Sequence, residues 1–346
     1  MPDALPPAAI TIAIVIPASA LLTAILIKLL KPVLVRYALA RPNARSSHTV
    51  PTPQGGGIAV LAATLLLAPA ALLATSPLPP PVELAWLGAA ALALGGVGAV
   101  DDIWPLPAML RLVLQTLAVI VVVVASGDTR ILPQAAPWVE QGLLVIGGVW
   151  FVNLVNFMDG IDWITTAEMV PITAFVALLG ATGLLPLWAA AIGAALCGAM
   201  LGFAPFNKPA ATLFLGDVGS LPIGLVVGWL LLKLAATGAL AAAILLPLYY
   251  LADATVTLVR RLARGERVWE AHRRHYYQQA IDGNGFTATA VVAHVFALNL
   301  ALAALALVTI IWPHWPVQAG AVAAGAALVG AVLRRFATSR AGTVTV

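Results

Sequence analysis

The sequence predicts an all-α, polytopic integral membrane protein with about eleven transmembrane helices. Three observations carry that prediction. First, 62% of the 346 residues are apolar and only 9% charged, at a mean hydropathy of +1.00; soluble domains carry about a quarter charged residues. Second, apolar stretches of roughly 18–20 residues recur along the whole length, the signature of membrane spans. Third, Lys and Arg sort sharply between alternate loops.

In chain order the expected spans cover about residues 8–30, 56–75, 83–100, 108–126, 141–155, 167–184, 186–204, 219–235, 239–259, 288–312 and 317–334. Stretches this long and continuously apolar are helices, because a helix satisfies its own backbone in lipid. The first lacks a basic leader and a small-residue cleavage site, so it is expected to be retained as a span. The single cysteine, Cys197, falls within span 7 and excludes an intrachain disulfide. No internal repeat and no separate soluble domain interrupts the series. The whole chain, 1–346, therefore reads as one transmembrane domain.

Sixteen of the 18 Lys and Arg lie in or beside the loops after spans 1, 3, 5, 7 and 9 or in the C-terminal tail. Only Arg130 and Lys233 lie on the other side. The positive-inside rule then puts the odd loops and the C-terminus in the cytoplasm and the N-terminus outside. Asp101, Asp102, Asp159, Asp162 and Asp217 fall on the same cytoplasmic face, as do His48, His272 and His275. One face is equipped for chemistry, through loops at about 31–57, 101–107, 153–166, 204–219 and 260–287. The other is nearly featureless.

"VDDIWPLP" places Asp101 and Asp102 at a helix end that prefers cations. "NLVNFMDGID" spaces Asn153, Asn156 and Asp159 by three residues, with Asp162 following, and stacks amides and carboxylates on one stripe. Such a stripe suits a sugar or nucleobase, or equally a polar cap closing the helix. "FLGDVGS" sets Asp217 between glycines at a helix start, where exposed N–H groups favour phosphate and a carboxylate suits Mg²⁺. A capping Asp in a glycine turn is the plain alternative. "RPNARSSHTVPTPQGGG" offers Arg41, Arg45 and His48. "RRLARGERVWEAHRRHYYQQ" offers His272, Arg273 and His275 among further arginines, for phosphates or for anionic headgroups. Asp253, inside span 9, is either functional or a partner for a nearby Arg. Asp282, Glu266, Glu270 and Glu168 read as solvated interfacial charges. Together these groups fit a divalent cation and two negatively charged substrates, one cytosolic and one in the membrane. A secondary transporter of an anionic solute is the alternative, but transporters place binding groups near the midplane of repeated halves.

Through "RSSHTVPTPQGGG", "VDDIWPLP", "NLVNFMDGID", "FLGDVGS" and "AHRRHYYQ", in that order, the chain resembles the polyprenyl-phosphate N-acetylhexosamine-1-phosphate transferases of the MraY/WecA type, glycosyltransferase family 4. The resemblance implies transfer of a sugar 1-phosphate from a UDP-N-acetylhexosamine to undecaprenyl phosphate, releasing UMP, with Mg²⁺ or Mn²⁺. It implies a multi-pass protein of the bacterial inner membrane with a periplasmic N-terminus and its active site facing the cytoplasm. Nucleic acid is not an expected partner, and a homodimer is compatible with the pattern. By motif match Asp217, with Asn156, is expected to hold the metal, and Asp101, Asp102 and Asp159 to serve catalysis. His48, Asn153, Asp162, His272, Arg273 and His275 are expected to face substrate. Direct attack by the lipid phosphate and a covalent intermediate both stay open. The peptidoglycan-precursor branch carries three consecutive histidines where this chain has "HRRH", so the resemblance favours the branch that initiates O-antigen or related surface glycans. Trp163 stands where many members have glycine, and Gln54 where many are basic.

Overall fold

Each apolar run closes its backbone hydrogen bonds within itself, so the chain is built almost wholly of helices. The computed structural model describes residues 7–40, 51–75, 81–127, 129–267 and 272–338. Its helices are α1 (Pro7–Tyr37), α2 (Gly56–Thr75), α3 (Val82–Ile103), α4 (Ala108–Ala125), α5 (Pro137–Met158), α6 (Ile164–Ala181), α7 (Leu187–Phe203), α8 (Asp217–Ala236), α9 (Leu240–Leu245), α10 (Leu248–Ala263), α11 (Tyr276–Asp282), α12 (Ala288–Ile311) and α13 (Trp315–Ala337).

Among the described residues nine helices are long and apolar enough to cross a membrane. All eleven expected spans lie in helices, but three of them differ from expectation. The seventh, α7, has only 17 residues. The ninth is two helices, α9 and α10, interrupted at Leu246 and Pro247, where proline has no N–H to continue the ladder. The beginning of the sixth also moves, to Ile164, which draws Glu168 from the interface into the helix.

The sequence places the core in α7 and α8. Both are apolar all round, the pattern of a helix enclosed by other helices, and both are buried along nearly their whole length. Small side chains on α7 let α1 approach closely, where the Ser19 hydroxyl donates to the Ala195 carbonyl at 2.7 Å. The surrounding helices turn Ile14, Leu21, Leu66, Val113 and Ile146 outward, as a lipid-facing surface requires.

The first turn of α8 organises one end of the bundle. Residues 53–57 run beside 214–215: Phe214 N donates to the Pro53 carbonyl, Gly56 N to Phe214 and Gly57 N to Leu215, each at 2.9 Å. Thr52 and Pro53 also pair antiparallel with Leu39 and Ala40. A Cβ on Gly57 would overlap Gly219, and one on Gly98 would overlap the Asp217 peptide. These glycines are therefore close-approach positions that press α2 and α3 against the start of α8.

At the other end of α3 and α8, Glu83 and Lys233 form an ion pair at 2.6 Å. Arg130 pairs with Glu140 in the turn between α4 and α5. The two cations that the sequence assigns to the outer face thus lie at one end, both paired. The aspartates lie at the other.

Candidate active site

Asp101 and Asp102 close the last turn of α3, and "WPLP" reverses the chain into α4. The tight reversal brings Arg111, in the first turn of α4, back under Asp101. Asp101 Oδ2 accepts from Arg111 Nη1 at 2.6 Å, and its Oδ1 accepts from Leu106 N at 2.6 Å. Asp102 turns the other way. Its Oδ1 accepts from Asp217 N at 2.9 Å and its Oδ2 from Val218 N at 3.2 Å. The carboxylate misplaced at the end of α3 is well placed at the start of α8, whose free N–H groups and positive end favour an anion. Gln54, in the position often basic in relatives, donates its side-chain amide to the Asp102 carbonyl at 2.5 Å.

Asp217 follows Gly216, which holds φ at +77°. Its Oδ1 accepts from Asn156 Nδ2 at 2.8 Å, and its Oδ2 lies 3.8 Å from Arg111 Nη1. Asn156 Nδ2 also reaches Ser220 Oγ at 2.9 Å. Asp101 and Asp217, from two helices, therefore flank one guanidinium, and Asp102 lies beside them on the first turn of α8.

The three-residue spacing of "NLVNFMD" does not converge on one ligand. Each step of three residues turns about 60° short of a full circle, so the side chains fan out to three neighbours. Asn153 donates to Gln115 of α4 at 2.7 Å, Asn156 reaches α8, and Asp159 accepts from Thr165 of α6 at 2.5 Å. Burial raises Asp159 to about 7, helped by the charges of Asp102 and Asp162 and opposed by the Thr165 hydroxyl. Asp162 accepts from Ala211 N at 2.9 Å and so ties the loop before α8 to this turn. Trp163 sits at φ +68°, in the left-handed region that favours glycine. It is held by Asn207 Oδ1 on its backbone N–H at 2.7 Å and by the Ala204 carbonyl on its indole at 2.6 Å.

The last loop lies over this turn. Tyr277 donates its hydroxyl to the Phe157 carbonyl at 3.1 Å, and a Cβ on Gly160 would overlap that hydroxyl. His272 stacks on His275 at 4.8 Å between ring centres. Burial, the neighbouring His275 and the charges of Arg261 and Arg274 push His272 down to about 4, so it is neutral at physiological pH. Arg273 forms a fork with Asp282 at 2.9 and 2.6 Å, and Glu266 takes Arg261 and Arg274. His275 Nδ1 faces Asp253 at 3.3 Å. Asp282 and Glu266 are thus paired at the interface. Glu168 is not a solvated charge: it is fully buried against α12, accepting from Asn299 at 2.6 Å. His48, Arg41, Arg45 and Glu270 lie outside the described residues.

Beside the acids a groove of about 720 Å³ runs along α4, α5 and α10. Met109, Leu112, Ile146, Trp150 and Leu258 make it apolar, and Arg111 and Asn156 stand in its wall. Arg111 carries a role that sequence reasoning missed, since it was counted with the positive-inside arginines. Its signal was its place four residues after Pro107, beside the aspartate pair.

Among the described residues no three His, Cys, Asp or Glu side chains form a ready ligand cluster for a metal. Oxygen donors of the type a hard divalent cation takes are nonetheless present. Asp217 and Asp101 supply carboxylate oxygens beside Arg111, and Mg²⁺ typically takes one or two carboxylates with substrate phosphates.

The glycosyl transferase family 4 model matches residues 84–235, from α3 through α8. That stretch carries Asp101, Asp102, Arg111, Asn156, Asp159 and Asp217. The chain is 31% identical over 216 residues to the decaprenyl-phosphate N-acetylglucosaminephosphotransferase of Mycobacterium tuberculosis (strain CDC 1551 / Oshkosh), covering 55% of this chain and 52% of that protein. It is 32% identical over 221 residues to the protein of the same name from Mycolicibacterium smegmatis, with the same two coverages. It is 28% identical over 368 residues to the phospho-N-acetylmuramoyl-pentapeptide-transferase of Mycobacterium bovis (strain BCG / Pasteur 1173P2), covering 90% of this chain and 99% of that protein. The chain thus spans about half the length of the first two relatives and nearly all of the third. Residues 84–235 are thus similar to glycosyl transferase family 4, and the chain is similar along its length to proteins named as phosphotransferases of that kind.

Proposed function

We propose that this chain transfers an N-acetylated hexosamine 1-phosphate from a UDP-sugar to undecaprenyl phosphate, at the cytoplasmic face of a bacterial inner membrane. The products are undecaprenyl-diphosphate-sugar and UMP. One observation carries the reading: Asp101 and Asp217 flank a single arginine in the wall of an apolar groove, with Asp102 beside them on the first turn of α8. An amphipathic acceptor with a long hydrocarbon tail and a phosphate head fits such a groove. Arg111 can take the acceptor phosphate as the tail lies along α4 and α5. In the net reaction an acceptor phosphate oxygen bonds to the β-phosphorus of the donor while the bond from that phosphorus to the UMP oxygen breaks. Asp101 faces that arginine and is the member of the aspartate pair that can position it. Asp102 holds the start of α8, and so the position of Asp217. A divalent cation, Mg²⁺ or Mn²⁺, held by Asp217 beside Asn156, would neutralise charge on the diphosphate. The single histidines of "HRRH", in place of three in a row, favour initiation of O-antigen or a related surface glycan over a pentapeptide-bearing donor.

The test is direct. Purified protein with undecaprenyl phosphate, Mg²⁺ and a panel of UDP-N-acetylhexosamines should release UMP and form one lipid diphosphate-sugar. If every donor in the panel leaves the lipid unmodified, the proposal fails.

A further inference from the structure

Asp253 is completely buried in α10, and among the described residues no arginine pairs with it. Five donors converge on its carboxylate instead. Tyr276 N at 3.0 Å, His275 Nδ1 at 3.3 Å and Thr257 Oγ1 at 3.3 Å reach Oδ1. Tyr277 N at 3.2 Å and the Tyr249 hydroxyl at 3.3 Å reach Oδ2. Three of the five come from the "HRRHYY" loop. The carboxylate therefore does for α11 what Asp102 does for α8: it fills the free N–H groups at a helix start from a neighbouring element.

The anchoring reaches the acid cluster in two short steps. Tyr277, fixed through its N–H, sets its hydroxyl on the Phe157 carbonyl and against Gly160. Those residues flank Asp159 and follow Asn156. His275, fixed through its ring, carries the stacked His272. The basic loop thus hangs from one carboxylate in the tenth helix and rests on the end of the fifth.

We infer that Asp253 is a positioning residue, which seats the His272–His275 loop over the acid cluster and so sets affinity for the nucleotide-sugar. This rests on the transferase reading for the loop's ligand, but the anchoring itself does not. An asparagine at the position keeps one acceptor oxygen and turns an amide toward the other donors, so it cannot satisfy both backbone N–H groups.

The experiment uses the full chain in nanodiscs and has two arms. Hydrogen exchange should speed about tenfold at the Tyr276 and Tyr277 amides in Asp253→Asn, the loss expected when a hydrogen bond to a charged group goes. The Asp217 and Val218 amides should not change. In turnover assays KM for the UDP-sugar should rise about tenfold by the same arithmetic, while KM for undecaprenyl phosphate stays unchanged. Thr257→Val and Tyr249→Phe, which each remove one donor from outside the loop, should move both readouts the same way by less. They serve if Asp253→Asn does not fold. Unchanged exchange at Tyr276 and Tyr277 overturns the inference, and so does an equal rise in both KM values. If the wild-type protein turns over no UDP-sugar, the transferase reading falls and the exchange arm alone decides the anchoring.

Discussion

The two ends of the bundle treat charge in opposite ways. At the end that the sequence assigns to the outer face, Lys233 sits between Glu83 Oε1 at 2.6 Å and Thr129 Oγ1 at 2.7 Å, under the rings of Trp188 and Trp229. Glu83 also accepts from Trp229 Nε1 at 2.7 Å and Ser126 Oγ at 2.8 Å. Glu140 takes Arg130 and the backbone of Ile131 and Leu132. Each ion there has its complement. At the opposite end Asp101 and Asp217 share Arg111, Asp102 sits beside them on the first turn of α8, and Asp159 is close enough to feel Asp102. Paired charges hold helices together. Crowded like charges work against the fold and make sense only beside something positive that arrives later.

The contrast can be broken from either side. The largest effect is expected at Asp101. Asp101→Asn should lower turnover about 10³-fold, as loss of a charged group at a reacting phosphate does. Its melting temperature should change little, because the lost ion pair with Arg111 is offset by relief of repulsion from Asp217. At the outer end Lys233→Met should cost about 3 kcal/mol of stability by leaving Glu83 buried and unpaired. Denaturation in detergent measures this, and the double variant Glu83→Gln/Lys233→Met should recover most of it. Activity per folded molecule should be kept in both.

A smaller effect separates the ends by pH. Asp159 is raised from 3.8 to about 7 in the folded chain, so the native state keeps a proton that the unfolded state has lost between those values. Its contribution is complete below 3.8 and is lost as pH rises through about 7. Thermal unfolding of metal-free protein should therefore fall by a few degrees from pH 5 to pH 8, and Asp159→Asn should flatten the curve. A flat wild-type curve would mean that Asp159 is not under this strain. The smallest effect is expected at Asn153. Its bond to Gln115 is an ordinary interhelical one, of about 0.6 kcal/mol, so Asn153→Ala should change KM for the UDP-sugar less than about threefold. A tenfold rise would give Asn153, which lines the groove, the substrate contact expected from its motif.

Much of this was legible in the sequence. Hydropathy gave the helices, and the sorting of Lys and Arg separated the two ends, because lipid and membrane charge act on local runs of residues. Glycine-flanked Asp217 at a helix start could be read for the same reason. What stayed hidden depends on pairing across the fold. Nothing local tells that Asp102 caps a helix 115 residues away, that Asn153 turns to α4, or that Asp253 holds the last loop. Arg111 looked like one more cytoplasmic arginine until the proline turn folded it under Asp101. Glu168 looked solvated because a three-residue shift in a helix start decides whether a side chain faces water or α12.

The two ends meet in one variant. Asp217→Asn should be assayed for Mg²⁺-dependent UMP release and for melting temperature on the same preparation. Crowded acids kept for chemistry predict turnover lowered about 10³-fold with a melting temperature equal to or above that of the wild type. Turnover retained at a clearly lowered melting temperature would make Asp217 a structural cap and contradict the assignment of this end of the bundle as the reactive one.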